Sequence, residues 1–413
     1  MTTASVDVDT ARSEYAALVG RGLSLDITRG KPSPEQLGLS NALLGLPGDG
    51  TFKAEDGTDV RNYGGLNGLP ELRRIFAGAL QVPAAQLLAA GNSSLELMHD
   101  AVVQALLSKV PGAERRWADE PQVKFLAPVP GYDRHFALTE RFGIELVGVA
   151  MTDEGPDMDA VETLVAEDAS VKGIWCVPKY SNPTGVTFSD DVVKRLATMR
   201  TAAPDFRIFW DNAYAVHHLT DAEPELADLL ALATEAGHAD RVFVFGSTSK
   251  ITLAGAGVGF FGASEANLAW WTGNVGKRTI GPDKVNQLRH AHFLKDEEGV
   301  RAHMRKHAEI IGPKFAAVDR ILGEELADLA SWTKPTGGYF ITLTVPQGTA
   351  KEVVRLAKEA GVALTPAGAT HPHGNDPADA VIRIAPTFPK LAEVEEAVRA
   401  LAVCVRLAVA QRS

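Results

Sequence analysis

The sequence predicts an α/β fold with a mainly parallel mixed sheet covered by helices, followed by a smaller α+β domain. Three observations predict it. Short apolar runs alternate with helical patterns between Val123 and Gly262, which is how strand–helix–strand units read. Several of these runs lead directly into polar segments, and in open α/β sheets ligands sit at the C-terminal ends of the strands. From about Glu297 the alternation gives way to one long helical pattern and then shorter strand-like runs, the mark of a different layer arrangement.

Taken in order, residues 1–45 are Pro/Gly-rich around Thr28-Arg29-Gly30-Lys31-Pro32 and are assigned to an N-terminal arm and part of the small domain. Residues 46–295 form the large ligand-binding domain. Its first clear helix spans Leu95 to Leu107 and follows Gly91-Asn92-Ser93-Ser94, a start signal whose free backbone amides suit a phosphate. Strands are expected at Val123–Ala127, Ile144–Ala150, Val171–Val177, Phe206–Trp210, Arg241–Phe245 and Val258–Gly262. Residues 296–413 form the C-terminal small domain. They carry a helix from Glu297 to about Leu322, strand-like Tyr339–Val345, helical Lys351–Ala360, strand-like Val362–Pro366 and Val381–Ala385, and a closing helix after Pro389.

Composition bounds the function. A chain of 413 residues with 45% hydrophobic content buries a large core, and its net charge of −11 argues against nucleic acid, which demands a basic face. No apolar stretch reaches membrane-spanning length. The N-terminus carries Asp7, Asp9 and Glu14 and shows no secretory or mitochondrial pattern, so a cytoplasmic protein is expected. Cys176 and Cys404 lack metal-ligand spacing and are expected to pack as small hydrophobes; no metal site is expected.

Three segments carry the chemistry: Ser181-Asn182-Pro183-Thr184-Gly185, Asp211-Asn212-Ala213-Tyr214 and Ser247-Thr248-Ser249-Lys250. Together they supply an amine for an aldehyde, an anion for a pyridinium nitrogen, and polar groups for a phenolate and a phosphate. That is the inventory pyridoxal 5'-phosphate demands. Lys250 is read as the lysine that condenses with the aldehyde and then, released by substrate, moves the proton. That task calls for an amine made less basic by partial burial and nearby positive charge. Asp211 ends an apolar strand where a core would not place a carboxylate, so it needs a partner; Tyr214, three residues on, and Asn182 are placed to hydrogen-bond the phenolate. Gly255, Gly257 and Gly259 follow the lysine where the backbone must turn near something bulky.

With those segments in hand, the chain resembles the class I/II aminotransferases of pyridoxal-phosphate fold-type I, the aspartate aminotransferase family, from Arg29-Gly30-Lys31-Pro32 to Arg383. The resemblance implies phosphate contacts from Asn92, Ser93, Ser94, Ser247 and Ser249, and a ring over the pyridine from Tyr132. It also implies substrate contacts from Gly30, Asn182 and Arg383, with the Arg383 guanidinium gripping the α-carboxylate. Tyr63 matches a tyrosine that reaches a neighbouring subunit's phosphate, which implies a homodimer. One departure stands out: the family's arginine after the lysine is absent, and Gly257-Val258-Gly259 occupies that stretch. This variant is similar to a divergent bacterial subgroup of aspartate aminotransferases, and is related to the effector domain of a class of transcriptional regulators.

The reaction expected is transfer of an amine from an amino acid to the cofactor and then to a 2-oxo acid, the first product leaving before the second substrate binds. Aspartate and 2-oxoglutarate are the expected pair, with Arg29, Lys31, Lys277, Arg278 and Lys284 as candidates for a second carboxylate, and His135 as a support for Asp211. Three alternatives remain open at this point: an aminotransferase for aromatic amino acids or kynurenine, a β-lyase or decarboxylase, and a sensor module that binds the cofactor without turnover.

Overall fold

The computed structural model of the protein describes residues 7–412, so the first six residues of the arm assigned to 1–45 lie outside the described residues. An eight-stranded sheet forms the centre. Its spatial order is Leu87–Ala90, Gly259–Ala263, Val242–Ser247, Arg207–Asp211, Val171–Cys176, Lys124–Val129, Glu145–Thr152 and Gly155–Pro156. The strands from 242–247 through 145–152 run parallel, while 259–263 is antiparallel to both of its neighbours and 155–156 is antiparallel to 145–152.

Burial explains why the strands are nearly continuous apolar runs. Helices cover both faces, so strands such as 171–176 and 207–211 are buried at every position. One core gathers Leu72, Phe76, Ile174, Trp210 and Phe260; the opposite one gathers Phe125, Trp175, Phe209, Phe243 and Phe261. The Leu87–Ala90 strand was not foreseen, because four residues of Leu and Ala carry no strand preference of their own.

A separate core joins the first helix to the C-terminal elements: Ala11 and Leu18 pack with Val318, Leu322, Val398 and Leu401. Leu25–Asp26 pairs in parallel with Val362–Ala363. A three-stranded antiparallel sheet of Ser331–Trp332, Ile341–Thr344 and Val381–Ile384 faces this core, with the helices Glu297–Leu326 and Leu391–Ala410 alongside. Among the described residues no helix is long and apolar enough to cross a membrane.

Candidate active site

Because the four strands 124–129, 171–176, 207–211 and 242–247 are parallel, the loops that follow them leave the same edge of the sheet. That geometry alone brings Tyr132, Asn182, Asp211 with Tyr214, and Ser247 with Lys250 to one place. Of these, Tyr132, Asn182, Tyr214 and Lys250 line a cleft of about 450 Å³, together with Arg383.

Asp211 is buried, and its Oδ2 lies 3.1 Å from His135 Nε2. Its other oxygen, Oδ1, is buried with no hydrogen-bond partner among the described residues. A buried carboxylate oxygen without a donor is costly, and a ligand N–H satisfies it. His135 is itself held by stacking on Trp175, with ring centroids 4.4 Å apart at 14°.

The Lys250 amine lies 4.8 Å from the centre of the Tyr214 ring and 6.0 Å from that of Tyr339. Burial pushes this amine below its ordinary value, and the Asp211 carboxylate opposes the shift. The expected nearby positive charge is therefore not what lowers it: the charged neighbour is an anion, and desolvation does the lowering. Burial raises the Tyr214 phenol well above its ordinary value, with Tyr132 and Asp211 adding to the effect. Tyr214 is thus a neutral donor at any working pH.

Arg383 leaves its strand into the same cleft and is buried. Its Nη1 donates to Asn182 Oδ1 at 3.2 Å and to Asp133 Oδ1 at 2.8 Å. The first contact fixes the Asn182 amide so that its NH₂ faces away from the arginine. Gly30 closes the cleft from the N-terminal segment, where a Cβ would lie 2.4 Å from the Phe340 ring, so no larger residue fits.

The phosphate-binding candidates gather at the start of the helix Ser94–Leu107, whose N-cap is Ser93. Glu96 Oε2 accepts from the Asn92 backbone N–H at 2.8 Å, and the Ser247 and Ser249 hydroxyls are 3.1 Å apart. Gly257 and Gly259 press against this loop: a Cβ would come within 2.7 Å of Asn92 O in one case and 2.8 Å of Ser93 O in the other. The glycines are required by close approach of two backbones, since neither has a positive φ. Val258 stands between them. Arg278 and Arg289 instead border a second cavity of about 400 Å³, which Asn92 and Gly257 also line.

The other basic candidates divide. Arg29 and Lys31 line the cleft, joined by Arg134, which sequence reasoning missed although it follows Tyr132 by only two residues. Lys277, Arg278 and Lys284 do not line it: Arg278 pairs with Asp100 at 2.7 Å, Lys284 Nζ donates to Gly64 O at 2.6 Å, and Lys277 reaches Asn274. Tyr63 is 79% exposed and does not line the cleft.

Comparison with known proteins now bears on the site. A family model described as aspartate amino-transferase matches residues 2–413. The chain belongs to the aspartate aminotransferase family. It is 54% identical over 402 residues to an aspartate aminotransferase from Corynebacterium glutamicum, covering 97% of this chain and 93% of that one. A solved structure of an aspartate transaminase from Corynebacterium glutamicum superposes with a TM-score of 0.96 at 53% identity, covering 98% and 96% of the two chains. An α-aminoadipate aminotransferase from Thermus thermophilus, complexed with N-(5'-phosphopyridoxyl)-L-leucine, superposes at 0.77 over 97% of this chain and 98% of that one; at 22% identity it speaks for the fold alone. The protein is an aminotransferase of the α/β fold-type I class, whose members are pyridoxal-phosphate enzymes.

Proposed function

We propose that this aminotransferase carries pyridoxal 5'-phosphate on Lys250 and transfers the amino group of aspartate to 2-oxoglutarate, giving oxaloacetate and glutamate in two half-reactions. The observation that carries the reading is the unpartnered buried Asp211 Oδ1, close enough to act on the Lys250 amine, which lines a cleft together with the Arg383–Asn182 pair. These residues fit the cofactor. Asp211 Oδ1 would hold the proton of the pyridine nitrogen, and Tyr214 and the Asn182 amide would donate to the phenolate. Tyr132 would lie against the ring, and Asn92, Ser93, Ser94, Ser247 and Ser249 would take the phosphate. When bound, the cofactor supplies an aldehyde that captures the amine and a protonated ring that withdraws electrons.

The chain does the rest. Arg383 and Gly30 hold the substrate α-carboxylate and orient the Cα–H bond toward Lys250, a positioning worth several kcal/mol. Lys250 Nζ, its basicity reduced by burial, takes the proton from the substrate Cα and would deliver it to the carbon that was the cofactor's aldehyde, reversing the transfer with the oxo acid. Tyr214 stays protonated throughout and steadies the phenolate. Arg29, Lys31 and Arg134 around the same cleft support a substrate with a second carboxylate. Lys250, Asp211 and Tyr214 are the proposed catalytic residues.

A homodimer belongs to the same reading, each subunit lending its exposed Tyr63 to the other's phosphate. So does the division into an arm at 1–45, a large domain at 46–295 and a small domain at 296–413 that close on the cleft. A cytoplasmic location agrees with two buried, unpaired cysteines. The test is a panel of donors and acceptors on purified protein, with absorbance following conversion of the cofactor to its amine form. Aspartate should exceed phenylalanine and kynurenine in kcat/KM, because Arg29, Lys31 and Arg134 offer cations to a second carboxylate that the aromatics lack. Preference for the aromatics would remove the aspartate assignment, and release of pyruvate or CO₂ without an acceptor would remove the transfer itself.

A further inference from the structure

The guanidinium of Arg383 offers five N–H donors in a planar fork, and a carboxylate engages two that lie parallel. Here Nη1 is committed twice, to Asp133 Oδ1 at 2.8 Å and Asn182 Oδ1 at 3.2 Å. Nη2 reaches Thr365 Oγ1 at 3.4 Å, and the buried Nε has no partner among the described residues. Asp133 therefore occupies the Nη1 corner of the cleft's carboxylate grip, and a carboxylate set end-on across Nη1 and Nη2 has to displace it.

The two partners differ in what separation costs them. The Arg383 side chain is 7% exposed and that of Asp133 is 33% exposed. Arg383 left alone would be a buried unpaired cation, a costly state. Asp133 is the first residue of the helix Asp133–Arg141, where the amino end favours an anion, and it has a route to solvent beside Arg134, whose side chain makes no ion pair or hydrogen bond among the described residues. An incoming carboxylate can replace Asp133 without stranding either charge.

We infer that Asp133 is a built-in competitor for the α-carboxylate site, holding Arg383 until an amino or oxo acid displaces it and so raising KM for every substrate alike. The inference rests on the reading of Arg383 as the α-carboxylate grip. It applies to donor and acceptor equally, because both present the same carboxylate, and it keeps the arginine paired after each product leaves. A purely structural Asp133 that braces Arg383 would act in the opposite direction, since its loss would weaken carboxylate binding.

The sign of one effect decides the matter. In the holoenzyme, Asp133→Asn and Asp133→Ser are compared with wild type for KM of aspartate, alanine and 2-oxoglutarate, and for inhibition by acetate as a bare carboxylate probe. All four constants should fall together, by on the order of 3- to 30-fold, without a rise in kcat. A rise, no change, or a fall confined to one substrate overturns the inference. Should the asparagine variant fail to fold, the serine variant, with a hydroxyl suited to a helix start, carries the test. Arg383→Met separates the two readings: acetate inhibition and KM unchanged in that variant would sink the assignment of Arg383 and the inference with it. Weakened binding there, with either Asp133 variant also weakened, would sink the inference alone.

Discussion

His135→Phe isolates the contribution of one hydrogen bond to the site. The two rings are both planar, so phenylalanine keeps the stack on Trp175, with centroids 4.4 Å apart in the native protein, and deletes only the 3.1 Å contact from Nε2 to Asp211 Oδ2. Both residues are buried, so water does not replace the lost donor. A hydrogen bond to a charged group contributes about 1.5–3 kcal/mol, and without it Asp211 is held less firmly in place against the pyridine nitrogen. At 1.36 kcal/mol per decade this becomes a fall of about 10- to 150-fold in the rate of the first half-reaction. Stopped-flow absorbance under single-turnover conditions, with the cofactor fully bound, reads that rate. A rate within twofold of wild type would refute the role given to the His135–Asp211 pair.

Other outcomes follow from the same geometry. Gly257→Ala places a Cβ within 2.7 Å of Asn92 O at a φ of −73°, so overpacking alone acts, costing about 1–3 kcal/mol, and cofactor affinity measured by titration of the apoenzyme should fall about 5- to 150-fold. The buried His307 is held down to about 4 by desolvation first and by His303 second. Its unfolded value of 6.5 is higher, so the unfolded chain binds more protons between these values, and stability is full above pH 6.5 and lost as the pH falls through 4. That gap corresponds to ~3 kcal/mol, and His307→Gln should flatten the decline of melting temperature across this window. Mixing subunits bearing Lys250→Ala with subunits bearing Tyr63→Phe should restore, in the hybrid dimers, one site with both native groups; titration of cofactor affinity showing no recovery of the tight class would count against the shared phenol.

Much of the fold was legible because its strands are buried on both faces and therefore read as continuous apolar runs, as at 171–176 and 207–211. The site was legible for a related reason. Asn182, Asp211 and Lys250 each follow such a run closely, and parallel pairing carries them to one edge. What escaped depends on contacts that no local pattern encodes. The strand at 259–263 reads like its neighbours, yet it turns back antiparallel beside 87–90. Gly257 and Gly259 are explained by the carbonyls of Asn92 and Ser93, more than 160 positions away in the chain. The Asp133–Arg383 pair spans 250 positions. Beside Lys250 the charged side chain is the Asp211 carboxylate, and it is burial that lowers the amine.

The measurement closest to the central claim is borohydride reduction of the purified protein followed by peptide mapping, with Lys250→Ala carried in parallel. The account predicts a phosphopyridoxyl group on the peptide containing Lys250, and in the variant neither that label nor amino transfer. A label on any other lysine, or transfer that survives in the Lys250→Ala protein, would contradict it.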